Sequence, residues 1–480
     1  MKYYITTPIY YINDVPHIGH AYTTIAADVL ARYHRAKGDE VFFLTGTDEH
    51  GAKIAEAAAK AGKSPQQFVD ELRPKFQAAW EKLNISYDQF FQTTDAGHEK
   101  LVQEFVSTLL ARGFVEKRSY EGLYCVGCEK FLKESELVDG LCPDHKKAPV
   151  KQSEENYFFK LSALADRLIE KIESGELEIG PESRKNEVLG KIRQGLEDVS
   201  ISRAAVEWGV RFPGDENQTI YVWIDALLNY YTATKIYCQD SHPAGVGTPS
   251  TRGVNACGIW PANLHLMAKD ILWFHAVIWP AMLLAADLPL PKKVFAHGFF
   301  TVDGQKMSKT IGNVIDPNDV VEKYGADAVR YYLLSAFPFG EDGDVSYAKM
   351  DQAYNKLANE VGNLVQRTIA MINKYQIETK LQVASCKLQV DNEIDNLDFM
   401  NALRKIMAFA EEQNKYIAEK QPWILAKEGK DDEVAAVLTM VYGNLFVLAR
   451  ALDPFIPETV SKMKKQLETL QAEPLFPRLG

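Results

Sequence analysis

Two histidines three positions apart, His17 and His20, follow an apolar stretch near the start of the chain, Tyr3-Tyr4-Ile5-Thr6, that reads as a strand. At that spacing two side chains share one side of a helical turn. Pro16 fits a helix's first turn, where its missing N–H costs nothing. Ile18, Ala21, Ile25, Val29 and Tyr33 recur at helical spacing and predict a helix over 18–37, ended by Gly38 in a left-handed conformation. A helix N-terminus at the end of a strand is an anion site. Gly19 has no Cβ, so a flat ring such as adenine can approach closely. The imidazoles can donate hydrogen bonds to a phosphate whose charge rises in the transition state. The competing reading is two surface histidines flanking a helix start.

Two lysines, Lys306 and Lys309, sit in the string Lys306-Met307-Ser308-Lys309-Thr310, bracketed by Gly304 and Gly312. Asp303-Gly304 is a turn dipeptide, so the segment reads as a mobile loop carrying two ammonium groups. Lysine neutralises phosphate as a point charge on a flexible stem. Taken alone, such a string is more often a solvated lysine pair. A third constellation is Cys125-Val-Gly-Cys128, thirteen residues, then Cys142-Pro-Asp-His145. That is the spacing of a structural zinc knuckle with three thiolates and one imidazole. All four positions are filled by protein, which favours a closed site over a catalytic zinc. Gly127 lets the first loop turn tightly beneath the metal. Cys238, Cys257 and Cys386 are scattered and read as buried or incidental thiols. No secretory signal is visible at Met1-Lys2, so disulfides are not expected and a reducing, cytoplasmic setting is.

These groups need elements to position them. At 480 residues the chain has room for roughly three domains. Hydrophobic residues make up 46% and charged residues 25%, a balance typical of soluble proteins. The net charge of -11 argues against a general nucleic-acid binder; an RNA partner would need a local basic surface on an acidic body. The apolar run Ile271 to Ala286 is too short for a membrane span and contains His275 and Pro280. Strands are predicted at Tyr3–Thr7, Val41–Thr45 and Asp88–Gln92, with a helix at Pro65–Leu83. This alternation predicts a parallel α/β sheet. Further strands are predicted at Ile220–Trp223 and Val294–Ala296, and a surface loop at Ser241–Gly253. The fold expected is a split Rossmann-type parallel sheet with a zinc-containing insertion and an all-α C-terminal helix bundle. The expected divisions are 1–115 and 217–299 for the two halves of the sheet domain, 116–216 for the insertion, 300–350 for the lysine loop and stem-contact region, and 351–480 for the helices.

The histidine and lysine strings, in this order, resemble the HIGH and KMSKS motifs of class I aminoacyl-tRNA synthetases. With Gly46-Thr-Asp-Glu-His-Gly51, Tyr221-Val-Trp-Ile-Asp-Ala226, Lys269-Asp-Ile-Leu-Trp-Phe-His275 and Gln421-Pro-Trp423, the chain resembles the methionyl-tRNA synthetase family, in its bacterial form with one zinc knuckle. The resemblance runs from Tyr3 to about Pro457. It implies ATP-dependent activation of L-methionine and transfer to tRNA(Met), initiator included, with Mg2+ accompanying ATP and one structural zinc. It implies a methionine pocket at Ile9, Tyr11, Asp48, Trp223, Ala226, Tyr230, Ile271 and His275. A thioether suits such an apolar, aromatic pocket, and Asp48 would hold the substrate ammonium. ATP would meet His17, Gly19, His20, Asp270, Lys306 and Lys309; His17, His20, Lys306 and Lys309 would act in catalysis. Anticodon bases would meet Asn359, Asn363, Arg367 and Trp423. The first three are spaced i, i+4, i+8, on one face of a helix. Two positions depart from the family pattern: Ala268 where glycine is usual, and Thr310 where serine is usual.

Rival readings are distinguishable. The leucine, isoleucine and valine enzymes carry a far larger editing insertion, and the cysteine enzyme places zinc in its amino-acid site. A pantothenate-synthetase-like nucleotidyltransferase would lack the long helical region. A non-catalytic tRNA-binding module would not need His17, His20, Lys306 and Lys309.

Overall fold

In a computed structural model, residues 1–127, 130–132, 134–204, 206–241, 258–307, 313–378 and 388–479 are described. Cys128, Lys309, Thr310, Cys257, Cys386 and nearly all of the predicted 241–253 loop lie outside them. The chain opens with β1 (Lys2–Tyr11), α1 (Ile18–Ala36), β2 (Glu40–Asp48) and β3 (Gln89–Gln92). Later come β4 (Glu178–Gly180), α2 (Val222–Ser241), β5 (Leu264–Ala268) and β6 (Lys293–His297). These six strands form one sheet in the order β3-β2-β1-β5-β6-β4. β1 pairs in parallel with β2 and with β5, β2 with β3, and β6 with β4. The predicted parallel α/β sheet is therefore present. Its edge strand β4 comes from a stretch assigned by sequence to the insertion.

Sequence chemistry explains where the sheet is irregular. β1 contains Pro8, which has no N–H for a ladder bond, and the β1–β2 register shifts between Thr6 and Ile9. Beyond the shift, Tyr11 stands opposite Asp48. The predicted strand at Ile220–Trp223 is only half right. Asp215–Ile220 is a strand in a small three-stranded antiparallel sheet, and α2 begins at Val222. A short apolar run cannot be told from the start of a buried helix by periodicity. The stretch assigned by sequence to the insertion holds a long antiparallel pair, Val115–Cys125 with Val150–Phe159.

Contact clustering divides the chain into two compact units. The first takes 1–15, 39–77 and 87–296, with a core that includes Tyr4, Leu44, Phe91, Leu227, Tyr230, Met267 and Trp279. The second takes 16–38, 78–86 and 297–480. It holds α1, α3 (Ala326–Ser335), α4 (Tyr347–Leu357), α5 (Asn363–Tyr375), α6 (Phe399–Lys420), α7 (Pro422–Lys427), α8 (Asp431–Leu452) and α9 (Pro457–Thr469). α8 is the one described helix long and apolar enough to cross a membrane, but Val434, Leu438, Val441, Leu445 and Leu448 on it are buried in the bundle.

At the centre of this second unit, Asp28 on α1 and Arg330 on α3 form a fully buried ion pair at 2.7 Å. Asp28 also accepts from Arg32 Nε at 2.7 Å and from Ser86 N and Oγ at 2.7 and 2.6 Å. Arg330 donates to the carbonyls of Phe455, Pro454 and Leu83 at 2.8, 2.9 and 3.2 Å. Burial alone would raise the Asp28 pKa; the Arg330 and Arg32 guanidiniums and Ser86 hold it below the usual carboxylate value. Removing one partner of such a pair strands the other charge. Asp28→Ala is expected to cost about 3–5 kcal/mol of stability, read from the urea midpoint of unfolding. A loss below about 1 kcal/mol, the worth of a surface pair, would contradict this account.

Candidate active site

α1 starts at Ile18, as the spacing predicts. His17 is the N-cap, with φ -129 and ψ 171, and Pro16 lies outside the helix. The two histidines form the cap themselves. His17 Nδ1 accepts from the Gly19 N–H at 3.1 Å, and His20 Nδ1 accepts from the His17 N–H at 3.3 Å. The rings stack with centroids 3.6 Å apart. With both Nδ1 atoms accepting, each neutral ring carries its proton on Nε2 as a donor. Burial lowers the His17 pKa to about 4, and burial followed by the neighbouring His17 lowers that of His20. Both rings are thus neutral donors at pH 7. The second turn of α1 is fixed by Thr23 Oγ1 against His297 Nε2 at 2.6 Å, while His297 Nδ1 donates to the Gly298 carbonyl at 2.8 Å. Gly38 follows the helix with φ 86, as predicted.

Lys306 ends a two-residue strand, Gln305–Lys306, paired with Phe300–Val302 across the Asp303-Gly304 turn. Asp344 fastens this hairpin by accepting from Gly304 N at 2.6 Å and Thr301 Oγ1 at 2.7 Å.

In the first unit, the expected pocket residues come from five short stretches: the ends of β1 and β2, the first half of α2, a 3-10 turn holding Ile271 and a π-turn holding His275. Ile9 and Tyr11 end β1 and Asp48 ends β2. Trp223, Ala226 and Tyr230 recur at helical spacing in α2. His275 lies in a π-turn, Phe274–Ile278, just ahead of Pro280. Pro280 has no N–H for the carbonyl four residues back, and the widened turn absorbs that mismatch. His275 Nδ1 donates to the Ile271 carbonyl at 2.9 Å, so its Nε2 accepts from the Tyr230 hydroxyl at 2.8 Å. Burial lowers His275 to about 4. Trp223 stacks on Phe274 at 4.0 Å. Tyr230, Ile271 and His275 are therefore joined directly. Asp270 is exposed in a 3-10 turn after β5. Ala268 has φ -78 and ψ 155, a conformation open to any L-residue, so alanine there brings no backbone strain.

Sequence reasoning gave no role to the network behind Asp48. Asp225 Oδ2 meets His50 Nδ1 at 2.7 Å, and its Oδ1 meets His98 Nε2 at 2.8 Å. His98 Nδ1 pairs with Thr232 Oγ1 at 2.7 Å. The neighbouring Glu49 is fully buried and takes both Arg73 Nε and Nη2 at 2.7 Å. Trp208 Nε1 donates to the Glu49 carbonyl at 2.6 Å. Burial opposes charge on His50, but Asp225 overrides it and lifts the ring to about 10; Asp225 in turn is held at about 2, chiefly by His50, against the effect of burial. Two quoted motifs, 46–51 and 221–226, each supplied one member of this pair; their meeting was the missing signal.

In the insertion, Cys125 Sγ lies 4.0 Å and Cys142 Sγ 3.8 Å from His145 Nδ1, and all three ligand atoms fall within 4.8 Å of one another. A tetrahedral zinc with its usual bond lengths sets sulfur and nitrogen about 3.6 Å apart, so the three residues fit that ion. A Cβ on Gly127 would meet the His145 ring at 2.4 Å, which excludes any side chain there. Cys238 near the end of α2 is disulfide-bonded, against the expectation of incidental thiols. Asn359, Asn363 and Trp423 are exposed on the second unit, and Arg367 half-buried. They do not lie on one uniform α-helix: Ala358–Gly362 is a π-turn between α4 and α5.

With this geometry, comparison with known proteins is decisive. A family model for class I tRNA synthetases (M) matches residues 3–149 and 144–369. A second, for the anticodon binding domain of methionyl tRNA ligase, matches 372–477. The chain belongs to the class I methionyl-tRNA synthetases. The methionine–tRNA ligase of Caldanaerobacter subterraneus is 44% identical over 97% of this chain and 74% of its own length. That of Clostridium acetobutylicum is 46% identical over 97% and 73%. The solved structure of a Mycobacterium tuberculosis methionyl-tRNA synthetase in complex with methionyl-adenylate has a TM-score of 0.88 at 37% identity, covering 99% of this chain and all of that one. The rival amino-acid specificities and the nucleotidyltransferase reading fall away.

The synthetase's His50–Asp225 pair has a pH signature. The depressed Asp225 stabilises the fold above its ordinary value near 4, and that contribution is lost as pH falls towards 2. The raised His50 stabilises below its ordinary value near 6.5, and that contribution is lost as pH rises towards 10. The melting-temperature gap between the wild type and Asp225→Asn is therefore expected to be widest between about pH 4 and 6.5 and to narrow by pH 9. A gap that widens with rising pH would refute the charged pair.

Proposed function

We propose that this chain activates L-methionine with ATP to methionyl-adenylate and pyrophosphate, then passes the methionyl group to the 3' end of tRNA(Met), initiator included. The carrying observation is the match to methionine–tRNA ligases over 97% of the chain. In the first step a methionine carboxylate oxygen bonds to the α-phosphorus of ATP as the bond to pyrophosphate breaks. In the second, a terminal ribose hydroxyl of the tRNA attacks the carbonyl and AMP leaves. Neither step needs a protein nucleophile.

The roles follow from the side chains. Asp48 takes the substrate ammonium. Ile9, Tyr11, Trp223, Ala226, Ile271 and the Tyr230–His275 pair enclose the thioether, and a His275 that stays neutral keeps this pocket free of charge. His17 and His20 donate from Nε2 to the phosphates, Gly19 leaves room for adenine, and Asp270 takes the ribose hydroxyls. Lys306 and Lys309 neutralise the departing pyrophosphate. Mg2+ enters with ATP and offsets phosphate charge. Asn359, Asn363, Arg367 and Trp423 read the anticodon by hydrogen bonding and stacking.

Methionine should be the amino acid that best supports ATP–pyrophosphate exchange; stronger exchange with another would overturn the reading. His20→Ala should slow adenylate formation by about 10²–10³, the usual loss of one preorganised donor, with little change in methionine binding. An equal loss in methionine affinity would move His20 into the amino-acid pocket.

Cys125, Cys128, Cys142 and His145 are proposed to hold one zinc ion that stabilises the insertion. The supporting fact is that, among the described residues, the apolar cluster beside it is small: Cys125, Cys142 and Leu132 with Leu137 against them. Cys142→Ala should lower the zinc content of the purified protein below one per chain, measured by atomic absorption, and full occupancy would exclude this ligand set.

A further inference from the structure

The π-turn Ala358–Gly362 interrupts an otherwise continuous helix between Tyr347 and Tyr375 at the residues proposed to read the anticodon. Asn359 lies inside it and Asn363 directly follows. π-turns are uncommon and often mark functional sites. This one has no proline near it to force it, unlike the turn at His275. It is held instead by contacts from two distant parts of the chain.

On one side, Asn414 of α6 donates through Nδ2 to the Glu360 carbonyl at 3.0 Å and to Glu360 Oε2 at 3.1 Å. On the other runs the segment 470–477. Three helices donate to its carbonyls. Asn373 Nδ2 reaches Leu470 O at 2.8 Å, Gln466 Nε2 reaches Glu473 O at 3.1 Å, and the Tyr354 hydroxyl reaches Pro477 O. Tyr354 precedes the π-turn and Asn373 follows it, so the segment straps both of its flanks. Leu475 is buried and Phe476 lies edge-on to Tyr354 at 5.9 Å. A Cβ built on Gly362 would stand 3.2 Å from Phe476 Cδ2. Gly362 has helical dihedrals, φ -60 and ψ -50, so its small size answers to that ring and not to the backbone.

We propose that Phe476, seated on Gly362, and Asn414, bonded to Glu360, are positioning residues that fix the π-turn in the shape that presents Asn359 and Asn363 together to anticodon bases. This rests on the anticodon reading above and adds to it residues that touch no base. They act on specificity because amide side chains discriminate only when aimed at a base edge, and small displacements of a positioning shell cost much of that.

The test uses the full chain, tRNA(Met) with its CAU anticodon, and a transcript with one anticodon base changed. Phe476→Ala and Gly362→Ala should each raise KM for the CAU tRNA about 10-fold and leave kcat within about twofold. The handicap of the changed anticodon should shrink by the same factor. Methionine-dependent pyrophosphate exchange by Phe476→Ala should match the wild type. Gly362→Ala combined with Phe476→Leu, which makes room for the added methyl, should recover most of the lost discrimination; a merely structural role predicts no such rescue. Equal losses on both tRNAs, no loss, or an unchanged KM with slower exchange would each overturn the proposal. Asn363→Ala separates the levels. If it too leaves anticodon discrimination intact, the anticodon reading fails and the proposal with it. If it abolishes discrimination while Phe476→Ala preserves it, only the positioning role is wrong.

Discussion

A carboxylate and a guanidinium with no solvent exposure, Asp28 and Arg330, organise the unit that carries the histidine motif. Buried ion pairs rarely outperform apolar packing in energy. What they add is direction. Each oxygen of Asp28 and each nitrogen of Arg330 has a fixed partner, and those partners come from α1, from the 83–86 segment, and from the Pro454-Phe455 turn between α8 and α9. An apolar replacement could fill the volume, but α1 could then turn about its axis at low cost. Rotation of α1 would swing His17 and His20 with it, since both cap that helix. Thr23 against His297 opposes the same rotation one turn further along.

The site chemistry depends on protons being held in particular places. His17, His20 and His275 are all kept neutral by burial, and in each the backbone chooses the tautomer. Backbone N–H groups occupy Nδ1 of the first two and leave Nε2 as the donor; a carbonyl occupies Nδ1–H of the third and leaves Nε2 as an acceptor. One residue type thus presents a ring donor at His17 and His20 and a ring acceptor at His275. The exception is His50, kept charged by Asp225. Its positive ring favours the ionised state of Asp48, the residue proposed to take the substrate ammonium. A neutral His50 would leave Asp225 buried without a counter-charge.

Local chemistry was legible in the sequence. β1, β2, α1 and the 65–82 helix fall within a few residues of expectation because the helices have a clear period and the strands are apolar runs bounded by turn residues. The candidate residues that are described cluster as spacing within a motif allowed: His17 with His20, Cys142 with His145, Ile271 with His275. What stayed hidden depends on contacts between distant residues. Asp28 meets Arg330 across about three hundred positions, and His50 meets Asp225 across 175. The strand read at Ile220–Trp223 failed because four apolar residues carry no period that separates strand from helix. Both π-turns were invisible for a related reason: one inserted residue changes the helical phase without changing composition. Only at His275 did a proline offer a hint.

The same distinction bears on how an acidic protein discriminates among tRNAs. With a net charge of -11 the chain gains little from general attraction to RNA. Many cationic side chains in the second unit are already paired with carboxylates, as Lys323 is with Asp351, Lys349 with Asp344 and Lys356 with Glu411. Affinity must then come mostly from a few well-aimed contacts, and aim is set by backbone shape. A widened turn held from both sides provides such shape where a regular helix would offer a sliding, interchangeable face. Binding that relies on aim falls sharply when one base is wrong, because the amide group facing it is left desolvated and unpaired. On the proposed anticodon reading, weak general attraction and a strapped π-turn therefore serve the same end: discrimination rests on aim more than on charge.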